Sequence, residues 1–345
     1  MMASFSLGEY VVIDEMLYPF RGRCRWIQYI PSKPAKYGIK MYALCDAKFL
    51  YTSNLEFYCG RQPEGPFVSL NSPFDVVKRL VAPIANSNRN LTTDNYYTSV
   101  PLSNYLLEQN VTSIGTMKKN KKKIPPKFLP NKHRAVQSTL FGFQENKMIT
   151  SHVPKKNKGV LLLSTLYNAD EIDPTTNKPQ VIMDYNATKG GVDTVDKMCA
   201  SYSVSRITRR CPCVIFYSFM NIAEINAHVL HSFAKPRDSP KFRGIFLKNM
   251  ALTLMKEHLI FRASLPMLPS DIRAFLNSNY GPPAEKIHEE RQAPKRGTCR
   301  SCVAEKKRTS ASIKCHRCNG FTCKRHSKTA VVCNQCQKED DSQSH

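Results

Sequence analysis

YGIKMYALCD, residues 37–46, is a ten-residue run of apolar, aromatic and β-branched side chains that ends on an acid. FLYTSNLEFYCG (49–60) has the same character after a short gap, and the two runs predict a β-hairpin. Downstream the period changes. PFDVVKRLVAPIA (73–85) places Val76, Val77, Leu80 and Val81 on one helical face. RNLTTDNYYTS (89–99) predicts a short strand ending at Asp94, after which Thr98 or Ser99 caps a helix with Pro101 in its first turn. That helix, PLSNYLLEQN (101–110), leads into the strand VTSIGTM (111–117). Hairpin, helix, strand, helix, strand is the order of an α/β sheet with parallel pairing.

Outward from this block the composition shifts at Lys118. KKNKKKIPPKFLPNKHR (118–134) holds eight Lys and Arg, three prolines and no acid, which suits a surface loop, a nuclear-import signal or a DNA contact. Residues 139–168 predict short strands split by turns, so 118–184 is taken as an insertion. Gly190-Gly191 opens a helical stretch that runs from Val192 through Met198. It resumes from Val214 to Leu230 after the break RITRRCPC (206–213), and again at 242–262 and 270–277. Residues 280–298 are a polar, proline-containing linker.

The whole chain has 345 residues, 41% of them hydrophobic, which excludes a disordered protein and provides for more than one domain. Its 51 Lys and Arg against 27 Asp and Glu leave a net charge of +24, which favours a polyanionic partner, DNA or RNA before an acidic membrane. No run approaches the roughly 18 apolar residues of a spanning segment. The N-terminus, MMASFSLGEYVVIDEM, lacks the basic-then-apolar pattern of a signal peptide.

Of 13 cysteines, seven fall between Cys299 and Cys336. That distribution fits a metal site plus core thiols in a reducing compartment, cytosol or nucleus. The ligand pairs are Cys299 and Cys302, Cys315 and Cys318, Cys323 and His326, and Cys333 and Cys336, each with two residues between its members. Eight such ligands fill two closed tetrahedral zinc sites, and closed sites are structural. A cross-brace, in which the first and third pairs share one ion and the second and fourth the other, is favoured over sequential pairing; spacing leaves both open. The layout resembles RING and PHD fingers in general, but with the lone histidine sixth among the ligands it follows neither order. Lys306, Lys307, Arg308, Arg317, Lys324 and Arg325 give the module a basic surface suited to phosphates.

Four acids remain. Asp46 and Asp94 each close a strand, and Asp193 and Asp196 stand at i, i+3 on one face of the helix after Gly190-Gly191. Singly each has an ordinary reading, as a turn, an Asx-turn or a residue favouring a helix N-terminus. Together they make the hard-oxygen donor set of a two-metal phosphodiester site.

Long strings add to this reading: IDEMLYPFRGRCRWIQYIPSKPAKYGIKMYALCD (13–46), TTDNYYTSVPLSNYLL (92–107), YNATKGGVDTVDKM (185–198) and SRITRRCPCVIFYSFMNIAEINAH (205–228). With the Cys-rich C-terminus they resemble the piggyBac family of DDE/D transposases across nearly the whole chain. The resemblance implies an RNase H-like α/β core interrupted by an inserted β-rich domain. Its parts are 1–117 and 185–235 around the insertion 118–184, then a helical segment 236–279, the linker 280–298 and the zinc module 299–336. It implies Asp46, Asp94 and Asp193 as the catalytic triad with Asp196 beside them, holding two Mg²⁺ or Mn²⁺, and two structural Zn²⁺ in the C-terminal module. It further implies a nuclear enzyme that acts on double-stranded DNA, at transposon terminal repeats and TTAA targets, and that forms a homodimer. Nicking by water, hairpin closure by the freed 3′-hydroxyl and attack of that hydroxyl on target DNA are the implied steps. The match begins within about a dozen residues of Met1, where the family carries a substantial N-terminal region, so a truncated copy is expected. Cys211 stands where the family usually has Trp. These two departures keep open a domesticated, catalytically silent DNA-binding protein.

Overall fold

The computed structural model of the chain describes residues 5–327, apart from 67, 122–123, 130–133, 157, 266 and 281–295. Contacts divide the chain into two compact units, Met1–Leu254 and Met255–His345. The first runs β1 (Tyr10–Pro19), β2 (Ile27–Tyr29), β3 (Tyr37–Asp46), β4 (Thr52–Phe57), helix α1 (Pro73–Val81), β5 (Asn90–Thr93), α2 (Val100–Glu108) and β6 (Thr112–Thr116). It continues through β7 (Thr139–Gln144), β8 (Lys147–Lys155), β9 (Lys158–Ser164), α3 (Gln180–Thr188), α4 (Gly191–Ser201) and α5 (Cys211–Ala234), each longer than the two-residue ladders between β9 and α3. Helix α6 (Arg243–Ala263) begins in the first unit, and α7 (Ser270–Tyr280) lies in the second.

One mixed sheet organises the first unit, in the order β3-β1-β5-β6-β9-β8-β7, with β2 and β4 sharing the free edge of β3. Strands β1, β5 and β6 are parallel, and β3 is antiparallel to β1. An antiparallel meander followed by parallel crossovers is the RNase H-like core implied by the resemblance. The β-hairpin and both parallel strands expected from the sequence are present. The insertion's strands β7, β8 and β9 form an antiparallel meander that joins the same sheet through β9 and β6. Helix α3 spans the boundary drawn at 184/185, and its Val181, Ile182 and Tyr185 pack on Ile114, Met148 and Leu162.

Strand β1 is buried on both faces, as central strands covered by helices must be. Val11 and Ile13 join Leu44, Leu91, Val77 and Leu102 under α1 and α2. Val12 and Met16 join Met41, Val195, Ile222 and Ile225 under α4 and α5. Each fully buried side chain of this kind contributes about 1.5–3 kcal/mol by leaving water. Helix ends follow their chemistry. Ser72 accepts the Asp75 amide at 3.2 Å at the start of α1, and Ser99, of the two candidates, caps α2 by accepting the Leu102 amide at 3.4 Å. Thr98 instead donates to the Asp94 carbonyl at 2.7 Å. The helix expected over 73–85 ends at Val81 and tightens into a single turn at Ala82–Ile84, which holds Pro83.

Sequence inspection finds no run suited to crossing a membrane, yet α5 is long and apolar enough to do so by length and composition. In this fold it lies against the sheet, and Asn226 fastens it there. Its amide oxygen accepts the Thr52 N–H at 2.9 Å and its amide nitrogen donates to the Thr52 carbonyl at 2.8 Å, completing a backbone pair as a strand would.

Candidate active site and metal centres

The parallel pairing of β1 and β5 runs Tyr10 with Asn90 through Ile13 with Thr93. One residue further along, Asp14 and Asp94 are therefore side by side at the carboxyl end of β5, the edge where α/β sheets place their ligand sites. Asp94 turns the chain there: its carboxylate accepts the Tyr96 amide at 2.8 Å. Helix α4 lays two more acids against this edge. Its first residue, Gly191, lies flush on β1, where an added Cβ would meet Val12 Cγ1 at 2.6 Å. Val192 and Val195 are buried on β1, which holds the helix in register beneath Asp193 and Asp196. Lys33 ties helix and strand together. Its ammonium donates to Asp193 Oδ1 at 2.8 Å and to the Glu15 carbonyl at 2.8 Å.

Several of these groups feel one another's charge. Burial and the neighbouring Glu15 push the Asp14 carboxyl up to about 7, with the charge on Asp94 adding to the rise. Burial pushes Asp196 up to about 6, against the opposing pull of Lys33. Burial also raises Asp94, and the charge on Glu15 raises it further. For Lys33, burial favours the neutral form, but the bond to Asp193 and the charges of Asp193, Asp14 and Asp196 outweigh it, and the ammonium is held above the usual lysine range. Crowded carboxylates that resist ionisation are relieved by a cation with hard-oxygen preference. Asp14, Asp94, Asp193 and Asp196 thus bring hard oxygens to this edge of the sheet, the donor type that Mg²⁺ and Mn²⁺ prefer.

Asp46 does not belong to this set, contrary to the expectation that it is the first catalytic acid. Its antiparallel strand pairs Asp46 with Val11, three residues back along β1 from Asp14. At about 3.3 Å per residue that is roughly 10 Å toward the opposite edge of the sheet. Its carboxylate is fully buried and accepts backbone amides of Gly8 at 2.6 Å, Lys48 at 2.8 Å and Phe49 at 2.7 Å. Those oxygens close the turn into β4. Asp14 carries a signal of its own in the sequence: Asp14-Glu15 interrupts the apolar run YVVIDEMLY, and an acid inside a buried strand needs a reason.

Beside Asp196 opens a cleft of about 670 Å³, bordered by Tyr37, Arg21, Arg206, Arg209 and Tyr217. Arg21 stacks on the Tyr37 ring at 4.7 Å. On the Asp94 side, Lys118 lies over the Tyr96 ring at 5.4 Å, and Lys118 and Lys119 border a second depression with Asn95. Cations and aromatic faces on both flanks of a carboxylate cluster suit a nucleic-acid strand. Cys211 lies at the start of α5, buried, with its Sγ 3.5 Å from Cys24 Sγ.

In the second unit Cys299, Cys302, Cys323 and His326 converge, with all four ligand atoms within 4.8 Å of one another. Cys302 Sγ is 3.7 Å from Cys323 Sγ, and His326 Nδ1 is 3.8, 3.4 and 3.5 Å from the sulfurs of Cys299, Cys302 and Cys323. Zinc bonds of about 2.3 Å to sulfur and 2.0 Å to nitrogen give tetrahedral edges of about 3.5–3.8 Å, so the cluster has the size of a zinc site. Burial opposes ionisation of the Cys299 thiol, but the amides of Cys302 and Cys323 and the His326 ring outweigh it and bring it down to about 6. The far nitrogen of His326 lies 3.0 Å from Glu305 Oε1, the carboxylate partner that orients a ligating imidazole. The first and third pairs thus meet, as a cross-brace requires. Cys315 and Cys318 stand outside this cluster, while Cys333 and Cys336 lie outside the described residues.

Comparison with known proteins agrees with this architecture. The family model described as Transposase IS4 matches residues 1–228. Among solved structures, a piggyBac transposase determined by cryo-electron microscopy in a synaptic complex with hairpin DNA is 34% identical, with a TM-score of 0.75 over 96% of this chain and 70% of that one.

Proposed function

The chain belongs to the piggyBac-type transposases, and we propose that it cuts and joins DNA at TTAA sites with Asp14, Asp94 and Asp193 as catalytic carboxylates and Asp196 beside them. One observation carries the assignment: the register that puts Asp14 next to Asp94 at the sheet edge to which Lys33 ties Asp193. Two divalent ions held by these carboxylates would supply Lewis-acid activation of the attacking oxygen and stabilise the leaving one. In each step a P–O bond forms to water or to a 3′-hydroxyl and the bond to the leaving 3′-oxygen breaks. The carboxylates bind and orient, and the packed face of α4 on β1 keeps them in place. The DNA partner follows from the net charge of +24 and from the cations on both flanks of the site, and the related structure is itself a DNA complex. The zinc module, with Lys306, Lys307 and Arg308 beside it, would contact terminal-repeat DNA, and the protein would act in the nucleus as a homodimer.

The alternative of a silent DNA-binding protein is favoured by Cys211, whose buried thiol offers no ring for stacking on a DNA end. One assay separates the two. Purified protein is incubated with Mn²⁺ or Mg²⁺ and a labelled duplex bearing TTAA next to the terminal sequence found beside the gene. Metal-dependent nicks and hairpins that vanish in Asp14→Asn establish the enzyme. Binding without products, in both metals, leaves the silent reading.

A further inference from the structure

The carboxyl end of the catalytic helix is held by a buried charge from a different part of the chain. Met198 lies two residues beyond Asp196, and its carbonyl is among the last four of α4, which have no amide partner inside the helix. Arg243, the first residue of α6, donates to that carbonyl at 2.6 Å. The same guanidinium pairs with Glu224 of α5, and both side chains are nearly buried. It also lies 4.9 Å over the Tyr202 ring, just past the helix end. On the other side of that end, Asn221 of α5 accepts the Val204 amide at 3.0 Å and donates to Ser203 Oγ at 3.1 Å.

We propose that Arg243 and Glu224 are positioning residues for strand cleavage: the pair clamps the end of α4 and so sets where Asp193 and Asp196 stand along β1. Three physical points support this. A guanidinium at a helix C-terminus faces the negative end of the helix dipole and satisfies an orphan carbonyl at once. Its planar fork serves Glu224 and Met198 together, which a lysine cannot do equally well. Glu224 Oε2 is buried with no hydrogen-bond partner among the described residues. A buried ion pair with one oxygen unpaired is a poor device for stability alone, and such an exception calls for another role. Helix α4 runs unbroken through its eleven residues, so slippage at Met198 would be passed on to both acids. A misplacement of about 1 Å at reacting groups can cost on the order of 100-fold in rate.

The inference rests on the transposase reading, and the test separates the two. Arg243→Met alone would strand a buried carboxylate and could unfold the chain, so the informative variant is Glu224→Leu/Arg243→Met, which keeps the volume and removes both charges. Arg243→Lys is the conservative companion. Full-length, zinc-loaded proteins are compared by Mn²⁺ titration calorimetry and by Mn²⁺-supported nicking of a supercoiled plasmid that carries TTAA next to the terminal sequence found beside the gene, with thermal melts alongside. The double variant is expected to melt close to the parent, bind Mn²⁺ about 10-fold more weakly and nick 10- to 100-fold more slowly at saturating Mn²⁺. Plasmid affinity should be unchanged, and Arg243→Lys should fall between. A folded double variant with parental Mn²⁺ affinity overturns the proposal. If the double variant does not fold, parental Mn²⁺ affinity in Arg243→Lys overturns it. A parent that binds Mn²⁺ without nicking overturns the transposase reading, and the calorimetry still decides the clamp.

Discussion

Replacing Asp14 by Asn and, separately, Asp46 by Asn distinguishes the two acids that compete for one role. Asp14 titrates near 7 in the fold because burial and Glu15 disfavour its charge, whereas in the unfolded chain it titrates near 4. The folded state therefore holds this proton more tightly. Ionisation costs the fold nothing below about pH 4, progressively more through about pH 4–7, and the full amount above. This cost is at most about 4 kcal/mol. Asp14→Asn removes this cost, and its amide oxygen can still accept the Glu15 N–H. In buffer free of Mg²⁺ the variant should be more stable than the parent at pH 8, by up to about 4 kcal/mol, and match it near pH 4. It should also lose Mn²⁺ binding and cleavage. Asp46→Asn behaves oppositely. An amide group would face the Gly8 N–H, donor against donor, which leaves a buried amide without an acceptor at a cost of about 1–3 kcal/mol. The folded fraction should bind Mn²⁺ and cleave at the parental rate. Urea titrations at pH 5 and pH 8 measure the stabilities. Metal-free buffer is prepared by dialysis against resin, because a soluble chelator would also strip zinc from the C-terminal module. Loss of Mn²⁺ binding in folded Asp46→Asn, with Asp14→Asn unaffected, would refute the assignment.

Three further outcomes are expected. Gly191→Ala would press a methyl group against Val12 Cγ1 and lift the catalytic helix from β1, costing about 1–3 kcal/mol. Cleavage should slow by about 10- to 100-fold, and a parental rate would show that α4 is free to shift there. Lys33→Gln withdraws the cation between Asp193, Asp14 and Asp196, so melting of the metal-free protein at pH 8 should fall, with the gap to the parent closing on addition of Mg²⁺. A gap that Mg²⁺ leaves unchanged would mean that Lys33 and the metal do not share these acids. Cys323→Ser removes one of four converging ligands. Bound zinc should drop by one ion per chain and proteolysis should open the module, while residues 1–254 resist digestion; unchanged zinc content would disprove the ligand assignment.

Much of the fold is legible in the sequence because its signals are local. The apolar, aromatic and β-branched runs YGIKMYALCD and FLYTSNLEFYCG, the period of 3.6 in PFDVVKRLV, and the serine and proline ahead of α2 each depend on neighbours a few residues apart. The placement of Asp94 at the end of a strand, and of Asp193 and Asp196 on one helical face, is local in the same sense. Sheet polarity is not local. Asp46 and Asp94 both close apolar strands, but β3 runs antiparallel to β1 and β5 runs parallel to it, so the two acids leave the sheet at opposite edges. Only the pairing partner shows which edge a strand's end occupies. The addition of β7–β9 to the core sheet is not legible for the same reason, because the pairing of β9 with β6 spans some fifty residues.

The zinc module gives a different case, in which ligand chemistry narrows the long-range pairing to a few answers and the fold selects among them. Four pairs permit sequential filling or a crossed arrangement, and hairpin geometry chooses between them. Gly297–Thr298 pairs with Ser310–Ala311, and Ile313–Lys314 with Phe321–Thr322. The first ladder starts immediately before Cys299, and the second ends immediately before Cys323, so the module's two ladders deliver the first and third ligand pairs to one point. Cys315 and Cys318 sit in the tight turn between the strands of the second ladder, where the Cys315 amide donates to the Gly320 carbonyl at 2.9 Å. Sequential pairing would require Cys315 and Cys318 to fold back onto Cys299 and Cys302 and would break the Ile313–Phe321 ladder. The crossed arrangement keeps both ladders.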